Sequence, residues 1–61
     1  MKTLQKLDLE SFKKKYQNRS HISCGIHFSD GSFVSVQNSF YSYIEYVIKD
    51  SDKELAYIAV F

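Results

Sequence analysis

HISCGIHFSDGSFVSVQ, residues 21–37, is the stretch whose reading decides the fold. Ile22, Cys24, Ile26 and Phe28 recur at every second position, Ser29-Asp30-Gly31 supplies turn chemistry, and Val34 and Val36 resume the alternation. That is the sequence form of a β-hairpin. The turn then chooses the register. A two-residue Asp-Gly loop would set Phe28 opposite Phe33 and Ile26 opposite Ser35, mixing apolar with polar residues on a face. A three-residue loop with Gly31 left-handed in a bulge aligns Ile26 with Val34 and Cys24 with Val36, and keeps one face apolar throughout. The second register is expected, and with it a positive φ at Gly31.

Upstream, Asp8 reads as the N-cap of a helix running from Leu9 to about Gln17. Leu7 and Phe12 can staple its start, and Glu10 falls in the first turn, where the helix dipole favours an acid. Leu9, Phe12 and Tyr16 share a stripe, whereas Leu4 and Leu7 fall on the opposite side. One continuous helix from Thr3 would therefore not be amphipathic, so the chain breaks at Asp8. Residues 1–7 carry little pattern and read as a short edge strand or a tail.

Downstream, Asn38 or Ser39 is placed to cap a second helix, with Ser42 and Glu45 as a capping box one turn later. Phe40, Tyr43, Ile44, Val47 and Ile48 follow helical spacing and are expected to form its core face. Tyr41, Ser42, Glu45, Tyr46 and Lys49 are then expected to point outward. Asp50-Ser51-Asp52 ends the helix, and Leu55 to Phe61 is an apolar run of strand length.

These elements make one α+β domain over residues 1–61. The expected architecture is a small antiparallel or mixed three-stranded sheet, hairpin plus C-terminal strand, with two helices on one face in the order αββαβ. Counting residues 1–7 as a strand gives the βαββαβ order of the ferredoxin-like fold, the alternative. That fold would put Met1–Leu7 in the middle of the sheet and the apolar C-terminal strand at an edge, against the hydrophobicity of both.

A chain of 61 residues buries only about 60% of the surface its unfolded form exposes, so its core is marginal. A lone Cys24 excludes an internal disulfide and fits a reducing cytosol. No segment approaches the length of a signal peptide or a membrane span, so a cytoplasmic location is expected. Charge is uneven. Residues 1–20 carry six basic side chains against Asp8 and Glu10, net +4, while residues 21–61 carry Lys49 and Lys53 against five acids, net −3. The mix of Phe, Tyr, Ile, Lys and Asn with two Gly, two Ala, one Arg and no proline follows AT-rich codons, which points to an AT-rich microbial or phage genome.

Candidate chemistry is sparse. His21, Cys24 and His27 have the look of metal-ligand spacing, but on a strand the cysteine faces away from both histidines. The two histidines, six positions apart, lie roughly 20 Å from each other. No metal and no cofactor are expected. Cys24 beside Val36 reads as a small hydrophobe, and no carboxylates pair for acid-base work, so no catalytic residue is expected either. Lys13, Lys14, Lys15 and Arg19 are candidate phosphate contacts, although successive lysines fan around a helix and do not share one face.

The outer face of the sheet carries the functional expectation. His27 and Phe33 stand opposite each other on it, and the C-terminal strand adds either Leu55, Tyr57, Ala59 and Phe61 or Ala56, Ile58 and Val60. Helices on one side would leave this face bare. A non-enzymatic protein-binding module is therefore expected, self-associating as a homodimer or docking on a larger protein as inhibitor or adaptor. Its contacts would be Phe33, His27, Tyr57 and Phe61, with Tyr41, Glu45 and Tyr46 on the second helix as another surface. The uncharged C-terminal strand, read as an exposed edge, would be one route to pairing. The alternative is a single-stranded nucleic-acid binder that stacks bases on Phe33 and Tyr57 and holds phosphates with the lysines.

Overall fold

The computed structural model describes residues 5–61. Strand β1 (Gln5–Leu7), helix α1 (Leu9–Tyr16), strands β2 (Ile22–Phe28) and β3 (Phe33–Ser39), helix α2 (Tyr41–Asp50) and strand β4 (Leu55–Val60) follow in that order. The hairpin takes the bulged register, with Cys24 opposite Val36, Ile26 opposite Val34 and His27 opposite Phe33. Gly31 sits at φ 93°. Its N–H donates to the Phe28 carbonyl at 3.1 Å, and the Phe28 N–H donates to the Ser32 carbonyl at 2.9 Å. The turn thus closes on three residues, and the extra one is absorbed where only glycine is unstrained.

The expected three-stranded sheet is corrected to four antiparallel strands in the order β1-β4-β2-β3. Gln5, Lys6 and Leu7 pair with Val60, Ala59 and Ile58, so the unpatterned N-terminal segment is an edge strand; residues 1–4 of it lie outside the described residues. A strand held by backbone pairing needs no side-chain signature, and β1 has none. The chain has the βαββαβ element order of the alternative, yet its strand order keeps β1 at an edge and β4 inside. Hydrophobicity decides that placement, since Ile58, Ala59 and Val60 are all buried. The reading of the C-terminal strand as an exposed edge is corrected with it, because β1 covers one side and β2 the other.

Both helices lie against one face. Ile22, Cys24, Ile26, Phe28, Val36, Ile58 and Val60 from the sheet pack with Phe12 of α1 and with Tyr41, Ile44 and Ile48 of α2 in one apolar cluster. Phe12 and Tyr41, ring centroids 5.7 Å apart, are where the helices meet. Each fully buried Ile or Phe contributes about 1.5–3 kcal/mol by leaving water. Helix α1 starts as its sequence dictates. Asp8 accepts from the Ser11 N–H at 2.7 Å, and Leu7 packs against the cluster beside the fully buried Phe12.

Helix α2 differs from expectation in both its cap and its facing. Its N-cap is Phe40, which makes no side-chain cap bond, while Asn38 takes φ 50° at a register shift of β3 and so bends the chain before the helix begins. Glu45 closes no capping box and accepts from the Tyr41 hydroxyl at 3.2 Å. The buried stripe is Tyr41, Ile44 and Ile48, with Val47 partly covered; Phe40 and Tyr43 are exposed. Phe40 lies outside the helix proper. Rotating the stripe towards Tyr41 seats an aromatic ring on Phe12 and gives its hydroxyl a carboxylate partner one turn on.

Candidate functional site

On the face away from the helices, alternation in the strands brings together Lys6 of β1, Tyr57 of β4, His27 of β2 and Phe33 of β3. The four side chains form one row across the whole sheet. His27 stacks on Tyr57 with centroids 4.4 Å apart and planes 10° from parallel, and on Phe33 at 5.3 Å and 18°. Lys6 Nζ lies 5.0 Å from the Tyr57 centroid. Rings lying flat side by side cannot bring their centroids so close, so these stand on edge, face against face across neighbouring strands. His27 has both faces occupied. Tyr57 does too, by His27 on one side and Lys6 on the other, which leaves Phe33, 62% exposed at the β3 edge, with the one free ring face of the row.

Beside the row the sheet surface drops. Gly25 and Ala59 stand opposite each other and are both buried although no helix covers them. The reason lies in their neighbours. A Cβ on Gly25 would approach His27 Nε2 to 3.3 Å and Phe61 Cζ to 3.8 Å, so these larger side chains close over the two small ones. Phe61 itself is 50% exposed, and its N–H donates to the Ser23 carbonyl at 3.2 Å. Of the two sets left open for the C-terminal strand, Tyr57, Ala59 and Phe61 share this face. Leu55 turns to the core, because β4 slips by one residue at Ala56, between the pairs His27–Tyr57 and Phe28–Leu55.

The expected residues divide accordingly. Phe33, His27, Tyr57 and Phe61 come together on one surface. The second surface, on α2, is corrected: Tyr41 is 7% exposed and belongs to the core, Glu45 is half-buried as its hydrogen-bond partner, and only Tyr46 stands free. Burial and the adjacent Glu45 carboxylate both push the Tyr41 hydroxyl above its ordinary pKa. Lys6 and Gly25 were missed by the sequence reading, whereas Ala59 stood in one of the two sets left open for the C-terminal strand. The signal that could have found Lys6 is its antiparallel register with the C-terminal strand, which depends on recognising β1.

The candidate phosphate contacts lie elsewhere. Lys14 is 3.9 Å from Glu10, Lys15 donates to Gln5 Oε1 at 2.9 Å, and the Arg19 guanidinium lies over the Tyr16 ring at 5.8 Å. Helix α1 packs on the inner face, so the sheet separates its lysines from the Tyr57–His27–Phe33 stack. Arg19 and His21 line a hollow of about 180 Å³ with Tyr16, Ile22, Ser23, Val60 and Phe61, smaller than the several hundred Å³ of ordinary ligand sites. Among the described residues no three His, Cys, Asp or Glu side chains gather as a metal site. Cys24 is buried, and desolvation pushes its thiol up to about 11, away from nucleophilic chemistry. No helix of the described residues is long and apolar enough to cross a membrane.

Compared with known proteins, the chain matches no family model, no curated protein and no solved structure.

Proposed function

We propose that this chain is a non-enzymatic protein-binding module that docks on a larger protein, as an inhibitor or adaptor, through the sheet face that no helix of the described residues covers. One observation supports the reading above others: the on-edge row Lys6–Tyr57–His27–Phe33, continued by Phe61 over Gly25, on a sheet whose helices all sit on the other side. Mutual stacking locks these side chains before any partner arrives, so little rotamer entropy is lost on docking. Rings presented by their edges and hydroxyl suit a packed protein surface. Base stacking needs free ring faces, and the row has spent all but one of its own.

The test is a photo-activated benzophenone side chain placed at position 61 on the open face or, as a control, at position 13 on α1, in the cells the protein comes from. Protein adducts from position 61 and none from position 13 are expected, and Tyr57→Asp should abolish them. Adducts to nucleic acid would replace this reading with the phosphate-binding one, and protein adducts from position 13 alone would overturn the assignment of the docking face.

A further inference from the structure

Among the described residues strand β3 is the long open edge of the sheet, and we infer that it is a pairing site for a second copy of this chain, joined in antiparallel fashion about Ser35. The inference goes beyond the docking face and does not depend on which protein that face meets. Which backbone groups are open follows from the turn. The Phe28 N–H bonds the Ser32 carbonyl, and pairs alternate along an antiparallel ladder, so Val34 and Val36 turn their backbone groups to β2. Phe33, Ser35 and Gln37 turn theirs to solvent.

Natural edges are blunted by charge, proline, shortness or a bulge. The other edge, β1, is three residues long and carries Lys6. Phe33–Gln37 of β3 has none of these protections, and the irregularity at Asn38, φ 50°, ends the flat stretch rather than interrupting it. A two-fold axis at Ser35 pairs Phe33 with Gln37 of the second copy and Val34 with its Val36. Every open donor and acceptor of the stretch then finds a partner, in about six backbone hydrogen bonds. Gln37 can serve although its carbonyl already accepts from Ser39 Oγ at 3.0 Å, since a carbonyl has a second lone pair. A strand of another protein would have to match this length and neutrality; a second copy does so by construction, with no like charges meeting on the axis. Val34, 39% exposed on the core side, gains cover from the neighbouring Val36. Both aromatic rows stay on the same side of the joined sheet.

Sedimentation velocity on the full chain at tens of micromolar tests the inference. The expected result is a dimer mass for the native sequence and a monomer mass for Ser35→Pro, with the far-ultraviolet spectrum kept, because the lost N–H faces solvent in the monomer. Should that variant not fold, charge decides. Ser35→Lys and Ser35→Glu should each be monomers, and an equimolar mixture should recover the dimer, since residue 35 meets itself only in this register. A monomeric native chain at that concentration, or a dimer unmoved by all three substitutions, overturns the inference. So does a dimer that Tyr57→Asp dissolves and Ser35→Pro does not.

Discussion

Strands β3 and β4 are equally free of charge, glycine and proline, yet one lies at the rim of the sheet and the other between two neighbours. Only β4 is apolar at every position, with Leu55, Ala56 and Tyr57 partly or largely exposed and Ile58, Ala59 and Val60 buried. β3 alternates, giving Val36 to the core and Ser35 and Gln37 to water. A strand's place in a sheet thus follows from how much side chain it can hide, while the hazard of an open backbone edge depends on the residues that could guard it. The two properties separate here. The strand with polar residues along it, but no charge or proline to guard it, is the one left among the described residues with unpaired N–H and C=O groups.

The largest effect expected from this contrast is at Ile58. Truncation of this fully buried side chain to alanine should cost about 3–4 kcal/mol, comparable with the whole stability of so small a domain, and Ile44→Ala should do likewise from α2. Val34→Ala on β3 should cost less than about 1 kcal/mol, because the side chain is already partly in water. Denaturant titration of the three variants gives the comparison directly. Equal losses at Ile58 and Val34 would break it.

Next in size is Gly31→Val, which attacks the turn joining β2 to β3. Nothing lies within 4 Å of a Cβ there, so the whole penalty is backbone strain at φ 93°, about 1–3 kcal/mol for a branched residue. Gly31→Asn should be milder. If valine and asparagine melt at the same temperature, the register of β3 does not rest on this conformation.

The hairpin register was legible because period-two alternation and one turn residue over-determine it, and the start of α1 because Asp8, Leu7 and Phe12 each point to one boundary. The inner position of β4 was legible as hydrophobicity but not as topology. Its cover, Gln5–Leu7, is held by backbone pairing, which leaves no mark in residue type. The facing of α2 was ambiguous for another reason. Apolar and aromatic residues run from Phe40 to Ile48 around more than half its circumference, while the sheet takes only the stripe of Tyr41, Ile44 and Ile48. What broke the tie was a tertiary contact, Tyr41 on Phe12, invisible before the helices are placed. The outer row was legible in three of its four members: Phe33, His27 and Tyr57 by parity, and Lys6 only with β1.

A smaller effect, and a gain, is expected at the entrance to β4. Asp52 takes φ 57° just past the end of α2, its N–H reaching back to the Lys49 carbonyl at 3.4 Å. An L-residue is strained there, and an acid faces the negative end of the helix dipole. Asp52→Gly should stabilise by about 0.5–1 kcal/mol, and unlike the changes on β3 it should leave the association state untouched. A loss of stability on thermal melting would mean that the aspartate contributes a contact beyond its backbone.

The smallest effect concerns the polar clasp that ties the beginnings of β3 and β4 together. Asp30 accepts from the Ser32 hydroxyl at 2.6 Å and from its N–H at 2.9 Å, and Lys53, just before β4, lies 3.4 Å from Asp30 and donates to Ser32 Oγ at 2.9 Å. The bonds from Ser32, with Lys53 adding to them, hold the Asp30 carboxyl down at about 2, whereas an unfolded aspartate titrates near 3.9. Between these values the unfolded chain binds more protons than the folded one, so stability rises with pH across that window. The contribution is complete above about pH 4 and is lost as pH falls through about 2. Asp8, lowered by the Ser11 N–H, adds a slope of the same sign. Asp30→Asn should therefore flatten part, and only part, of the acid limb in urea midpoints taken from pH 2 to 5, by lowering the midpoint slightly above pH 4 and leaving it unchanged near pH 2; the loss is small because the clasp is exposed to solvent. An acid limb of unchanged slope in the asparagine variant would show that the two strands are held in place by the core alone, and that the clasp at their shared end only reports on it.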